Sequence, residues 1–128
     1  MMRAVDWRRQ RRPAAIWTLE SRGDACLVRV AGRLGREEMR RLDADLGLAA
    51  RRGTKLVLDL GAVSHVDYRT LTLLSRRAER LAGSGGALAL CRTNEYVRAI
   101  LEVGSPLGSL EVHEREEDAW AAVAARAS

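Results

Sequence analysis

The chain contains no phenylalanine, a single lysine at position 55, two cysteines, two histidines and two prolines, and aromatic residues make up only 4% of it. A core here has to be assembled from leucine, valine, isoleucine and alanine. That is no obstacle to folding, because total apolar volume matters more than ring content. Cys26 and Cys91 stand far apart without C-x-x-C spacing, and no histidine cluster accompanies them, so the usual zinc arrangements are excluded. Each lies inside an apolar run and reads as a buried, reduced thiol. No apolar run reaches the roughly 18 residues that a membrane helix needs. Glu20, Arg22 and Asp24 interrupt any candidate signal segment. The expectation is a cytoplasmic protein without a membrane span.

What is present suits one globular domain: 128 residues, 47% hydrophobic and 30% charged. The net charge of +5 raises the question of nucleic acid, and its distribution answers it. Residues 1–12 carry five arginines against Asp6, a net of +4, whereas the other 116 residues balance 17 bases with 16 acids. The basicity belongs to a tail. No interleaved aromatics and no DNA-reading motif accompany it, so nucleic acid is not expected as the main partner. Residues 1–13, closed by Pro13, read as a flexible basic arm, and 14–128 as the folded domain.

Along that domain, IWTLES (16–21) and ACLVRVAG (25–32) have strand composition and are separated by a turn at Arg22-Gly23-Asp24. Cys26, Val28 and Val30 alternate with Leu27 and Arg29, as in a strand with one wet face. In REEMRRLDADLGLAARR, Met39, Leu42, Leu46 and Ala49 fall at helical spacing, and Gly53 stops the helix as a C′ glycine can. KLVLDL (55–60) reads as a strand buried on both faces. GAVSHV follows as a loop, then a helix over 68–82 with Leu71, Leu74, Ala78 and Leu81 on one stripe. GSGG (83–86) ends that helix. ALALC (87–91) is another buried strand, Thr93 or Asn94 caps a helix running to Val103, and Gly104 and Pro106 close it. LEVH (110–113) is a last strand, and EREEDAWAAVAAR a last helix packing Ala119, Trp120 and Val123. The order β-β-α-β-α-β-α-β-α predicts an α/β fold: a small sandwich with a mixed, mostly parallel sheet of about five strands, an initial antiparallel hairpin and about four helices.

Enzyme motifs are missing. GSGG sits at a helix-to-strand junction without GxGxxG spacing, and there is no Walker A sequence or GxSxG elbow. His65 and Asp67 could form an acid–base pair, but no nucleophile, metal cluster or cofactor loop joins them, and a loop-lining His65 is the plainer reading. Asp59, closing an apolar strand, is expected to accept from amides of the next turn. Asp67, at the mouth of the 68–82 helix, is placed to cap it by accepting from the amide of Arg69 or Thr70. No metal, cofactor or catalytic residue is expected.

The series LVLDLGAVSHVDYRTLTLL, a Gly-rich turn, ALALC, a helix ending EVG, and EEDAW resembles a STAS domain, the module of bacterial anti-sigma factor antagonists and of the cytoplasmic tails of sulfate transporters. The resemblance covers about Ile16 to Ala122. It implies a non-catalytic interaction module that binds an anti-sigma factor or kinase-like protein. The alternative it carries is a STAS subunit of a lipid-transport ABC complex, contacting permease and ATPase, or a part of a multi-STAS scaffold. Members typically read Asp-Ser-Ser-Gly where this chain reads Asp67-Tyr68-Arg69-Thr70, and the second Ser is the phosphoacceptor. Arg69 stands at that position and cannot be phosphorylated. Thr70, one residue on and rotated by about 100°, is the alternative acceptor, with Thr72 beyond it. The implied partner surface is Asp67, Tyr68, Arg69, Thr70 and Thr72, continued by Arg76 and by a Gly32-Arg33 loop beside it. Tyr and Arg are residue types that anchor interfaces. Exposed edge strands also make a homodimer an expectation to examine.

Overall fold

The computed structural model describes residues 14–104 and 110–127, so the 1–13 arm and Pro106 lie outside the described residues. Strands β1 (Ala15–Arg22) and β2 (Ala25–Leu34) form an antiparallel hairpin. It turns at Gly23, whose φ of +64° lies in the left-handed region open to glycine. Helix α1 (Arg36–Arg52), strand β3 (Lys55–Val66), helix α2 (Leu71–Gly83), strand β4 (Ala87–Cys91), helix α3 (Glu95–Gly104), strand β5 (Glu111–His113) and helix α4 (Glu116–Arg126) follow. The five strands lie in chain order, with β2 to β5 parallel. The α/β sandwich expected from the element order is the fold observed.

That order decides where the helices go. Right-handed crossovers that always step the same way along a sheet put their helices on the same face. Accordingly Met39, Leu42 and Leu46 of α1, Leu71, Leu74, Ala78 and Leu81 of α2, and Val97 and Leu101 of α3 share one core with Val28, Val30, Leu56, Leu58, Leu60, Leu88 and Leu90 of the strands. The alternate strand residues face the other way. There Leu27, Val57, Ala87, Ala89 and Cys91 meet Ala119 and Val123 of α4, with Trp120 packed at the margin.

Four local expectations are corrected. GAVSHV is not a loop: β3 runs on to Val66, pairing Ala62, Val63, His65 and Val66 with Ala31, Gly32, Arg33 and Leu34. Two register shifts break this stretch, which is why no clean alternation marks it in the sequence. By the same pairing Gly32 and Arg33 belong to β2 and not to a loop. The face of β2 expected to be wet is only partly so, since Leu27 is fully buried beneath α4 while Arg29 is exposed. Gly53 ends α1 in an extended conformation (φ −155°) and not a left-handed one. It is glycine because a Cβ there would stand 2.5 Å from the Asp24 carbonyl oxygen.

Candidate functional site

The site is built where β3 ends. The Asp67 amide donates to Leu34 O (2.9 Å), the last rung between β2 and β3, and the backbone then leaves the sheet. Asp67 remains extended, and its Oδ1 accepts from the Arg69 amide at 3.0 Å. This is the capping role expected of it, with one difference. The capped turn is a 3₁₀ turn over Tyr68–Thr70 that precedes α2, so the helix read as 68–82 begins in a tighter form.

The 3₁₀ turn sorts its three side chains. Tyr68 points outward and is 62% exposed. Arg69 is also outward, and its guanidinium folds back onto Asp67 in a fork, Nε to Oδ1 and Nη2 to Oδ2, each 3.1 Å. Thr70 turns inward: it is buried, and its Oγ1 donates to Asp67 O at 2.8 Å. The hydrogen bonds from Arg69, with a further contribution from the Arg36 charge, hold the Asp67 carboxyl below its ordinary range, and Asp67 in turn favours the charged guanidinium. A cation at a helix start is locally unfavourable, and the Asp67 fork offsets it.

Thr72 and Arg76 are exposed on α2, three and seven residues beyond Arg69 on the same side of the helix. Arg33 is exposed at the end of β2, where its register partner is His65. Gly32 beside it has φ +106°, a backbone position closed to most side chains. The expected residues therefore gather at one end of the sheet, except that Thr70 contributes backbone order and no surface hydroxyl.

The other wall rests on the Asn94 cap expected from the sequence, whereas the part played by Tyr96 was not foreseen. Asn94 caps α3 by accepting from the Val97 amide (2.7 Å) and ties it to β3 by donating to Val63 O (3.2 Å). Tyr96 is thereby set against His65: the rings stack with centroids 5.8 Å apart, and His65 Nδ1 lies 3.0 Å from the Tyr96 hydroxyl. Gly104 lets the far end of α3 approach, since a Cβ there would fall 2.5 Å from Leu71 Cδ1 and 3.4 Å from Tyr68 Cβ. His65, Tyr68, Arg69, Tyr96 and Ile100 border a shallow depression of about 430 Å³. No His65–Asp67 pair forms among these contacts, because one side chain is engaged by Tyr96 and the other by Arg69.

A family model described as "Mlab, STAS domain" matches residues 17–105, more than half of the chain. The chain is a member of the STAS domain family. Its β5 and α4 lie beyond the matched stretch. No curated protein matches significantly. Among solved structures, this STAS domain is similar to an anti-sigma factor antagonist from Mycobacterium paratuberculosis, with 21% identity, a TM-score of 0.74, and 86% of this chain and 94% of that one covered. It is similar to the anti-sigma factor antagonist SpoIIAA in its unphosphorylated form, at 18% identity and a TM-score of 0.70 over 88% and 100% of the two chains. It also resembles part of the murine anion transporter Slc26a9, at 17% identity and a TM-score of 0.65, covering 83% of this chain and 18% of that one. At these identities the likeness is one of fold. Among the described residues, no helix is long and apolar enough to cross a membrane.

Proposed function

We propose that this STAS domain is a non-catalytic interaction module of the anti-sigma-antagonist kind, docking an anti-sigma or kinase-like protein on the surface running from Asp67 to Arg76. The observation that carries the reading is Arg69. Its side chain is 66% exposed at the first turn after β3, yet held in a two-point fork by Asp67. A pre-ordered arginine loses little side-chain freedom on binding. Its Nη1, unpartnered among the described residues, is free to meet a partner carboxylate. Tyr68 beside it offers an amphipathic ring of the type that anchors interfaces. Tyr96, Ile100 and the His65 ring extend the surface onto α3.

The module works without the acceptor-serine switch. Position 69 has no hydroxyl, and the Thr70 hydroxyl is buried and committed to Asp67 O. Thr72 keeps an exposed aliphatic hydroxyl on this stretch of α2. Affinity capture from the host with wild type and Arg69→Ala identifies the partner, and calorimetry with that purified partner then measures the surface. Tyr68→Ala and Arg69→Ala are each expected to weaken binding by at least about 30-fold, the mark of a hot spot. Unchanged affinity in the double variant would end this reading.

A second reading is favoured by one observation: the same fold forms part of a transporter chain, the murine Slc26a9. A STAS subunit of an ABC complex or a multi-STAS scaffold needs no acceptor hydroxyl, which suits Arg69 equally. Recovery of a permease and an ATPase, or of other STAS proteins, in the same capture decides for it.

A further inference from the structure

Six large hydrophobic side chains are exposed among the described residues, and they divide into two groups. Tyr68 and Tyr96 belong to the surface already described, and Val103 lies near the end of α3. Leu19 (45%) and Leu48 (57%) lie together on the α1 side of β1, whereas Ile16 (61%), three residues from Leu19 along the strand, projects from the opposite face. Leu19 and Leu48 border one groove between these elements, and Ile16, Trp17, Ala44 and Asp45 border its continuation. Nothing in the proposed function uses this second group.

Among the described residues, β1 is the outermost strand of the sheet and eight residues long, whereas the opposite edge, β5, has only three. Alternate N–H and C=O groups of an edge strand point outward, and natural edges are commonly guarded by proline, inward charges, lysine or a bulge. None of these guards is present in β1. Its register with β2 runs unbroken from Ala15↔Gly32 to Arg22↔Ala25, and its two charges, Glu20 and Arg22, are paired with each other at one end.

We propose that the β1 edge is a self-association surface, on which β1 of a second copy pairs antiparallel to make one sheet across two molecules. A two-fold axis perpendicular to the sheet keeps both helix-rich faces on the same side, so residues of equal parity stand opposite one another. Centring the axis on Glu20 opposes two carboxylates, and centring it on Leu19 sets Trp17 against Ser21. Centring it on Thr18 sets Trp17 of each copy opposite Leu19 of the other, with Leu48 flanking the pair and the two Thr18 side chains facing each other. Cross-strand aromatic–aliphatic and Thr–Thr pairs are favourable ones. This register also leaves Tyr68, Arg69 and Tyr96 outside the interface, so it stands or falls independently of the function proposed above. One strand edge and its flanks form a small interface, and the dimer is accordingly weak and reversible.

Sedimentation velocity of the full chain from about 5 to about 500 µM tests this at the concentrations where a small interface is populated. The expected result is a concentration-dependent shift from monomer to dimer, with self-affinity reduced at least about tenfold in Leu19→Lys, which sets a charge opposite Trp17. Circular dichroism checks that the variant is folded, as the 45% exposure of Leu19 leads one to expect. The register has its own test under oxidised glutathione. Directly opposite Cβ atoms lie about 4.5–5.5 Å apart, so Thr18→Cys cross-links to itself. Ile16→Cys and Glu20→Cys cross-link only when mixed. The native Cys26 and Cys91 are buried and do not compete. A monomer throughout the concentration range, or a dimer indifferent to Leu19→Lys, overturns the proposal. Self-cross-linking at Glu20→Cys with none at Thr18→Cys overturns the register.

Discussion

On one face of the sheet three helices bury a continuous run of leucine, valine and methionine, whereas on the other α4 alone covers a patch of Leu27, Val57, three small strand residues and its own Ala119 and Val123. Where α4 does not reach, charge takes over. Asp59 is 4% exposed and accepts from Arg29 Nη1 (2.8 Å), Arg92 Nη1 (3.1 Å) and the Gly61 amide (2.8 Å). Glu116 of α4 extends the chain of pairs to Arg29 (3.3 Å) and Arg22 (3.9 Å), and Arg22 lies over the Trp120 ring. Arg92 takes a left-handed φ of +64° as the chain leaves β4, and its guanidinium rests over Gly61, where a Cβ would stand 3.0 Å from Cζ. One sheet is thus closed by area on one side and by a buried carboxylate with two arginines on the other. Apolar burial tolerates few voids and has no charge for salt to screen, while half-exposed ion pairs are screened by it.

The sharpest test of this contrast uses neighbours in β3 that point to opposite faces. Leu58→Ala is expected to destabilise by about 3–4 kcal/mol and Val57→Ala by about 2 kcal/mol in urea titrations, in proportion to the apolar volume each removes. Equal losses would break the comparison. Asp59→Ala is expected to cost about 2 kcal/mol, since it strands a buried amide and two guanidinium groups that can still reach water. Asp59→Asn retains an acceptor for Gly61 and is expected to cost about half as much, and added salt should narrow the difference from wild type for Asp59 variants but not for Leu58→Ala.

At the candidate site the effects on stability are smaller. Arg69→Ala is expected to leave the urea midpoint close to that of wild type, because it removes an exposed pair. Asp67 is held below its ordinary value of 3.8, so its contribution is fully present above that pH and fades as pH falls through the depressed value. Melting curves of Asp67→Asn or Arg69→Ala below pH 4 should therefore be flatter than wild type, and an identical acid response would show the fork to be absent in solution. The least effect belongs to the thiols. Burial, then the Asp59 carboxylate, pushes Cys91 up to about 12, and burial raises Cys26. Both should resist alkylation at pH 8 until the protein opens. Cys91 reports on the α4 face and Cys26 on the helix-rich face, so faster labelling of Cys91 would show α4 undocking first.

Much of the fold was legible because its signals are local. The stripe Met39, Leu42, Leu46, Ala49 and the stripe Leu71, Leu74, Ala78, Leu81 gave α1 and α2, and all eight residues are buried. GAVSHV was misread because two register shifts erase the alternation that marks a strand. Arg29 read as a solvated residue because nothing near it in the chain announces Asp59. At the site, Asp67 and Arg69 were legible since a cap is made within three residues. Tyr96 was not, for its partner His65 lies 31 residues away.

By itself, then, the sequence determined the order of elements, the turn that presents Tyr68 and Arg69, and the absence of a hydroxyl at position 69. Each depends on neighbours along the chain. Only the tertiary structure decided that α3 would complete the site through Tyr96 and that Asp59 would gather arginines 30 and 33 residues distant. It also decided that one face would need charge to close it. Three crossovers of one hand, stepping in one direction, placed three helices on the same side, and no local pattern encodes what the other side must then do.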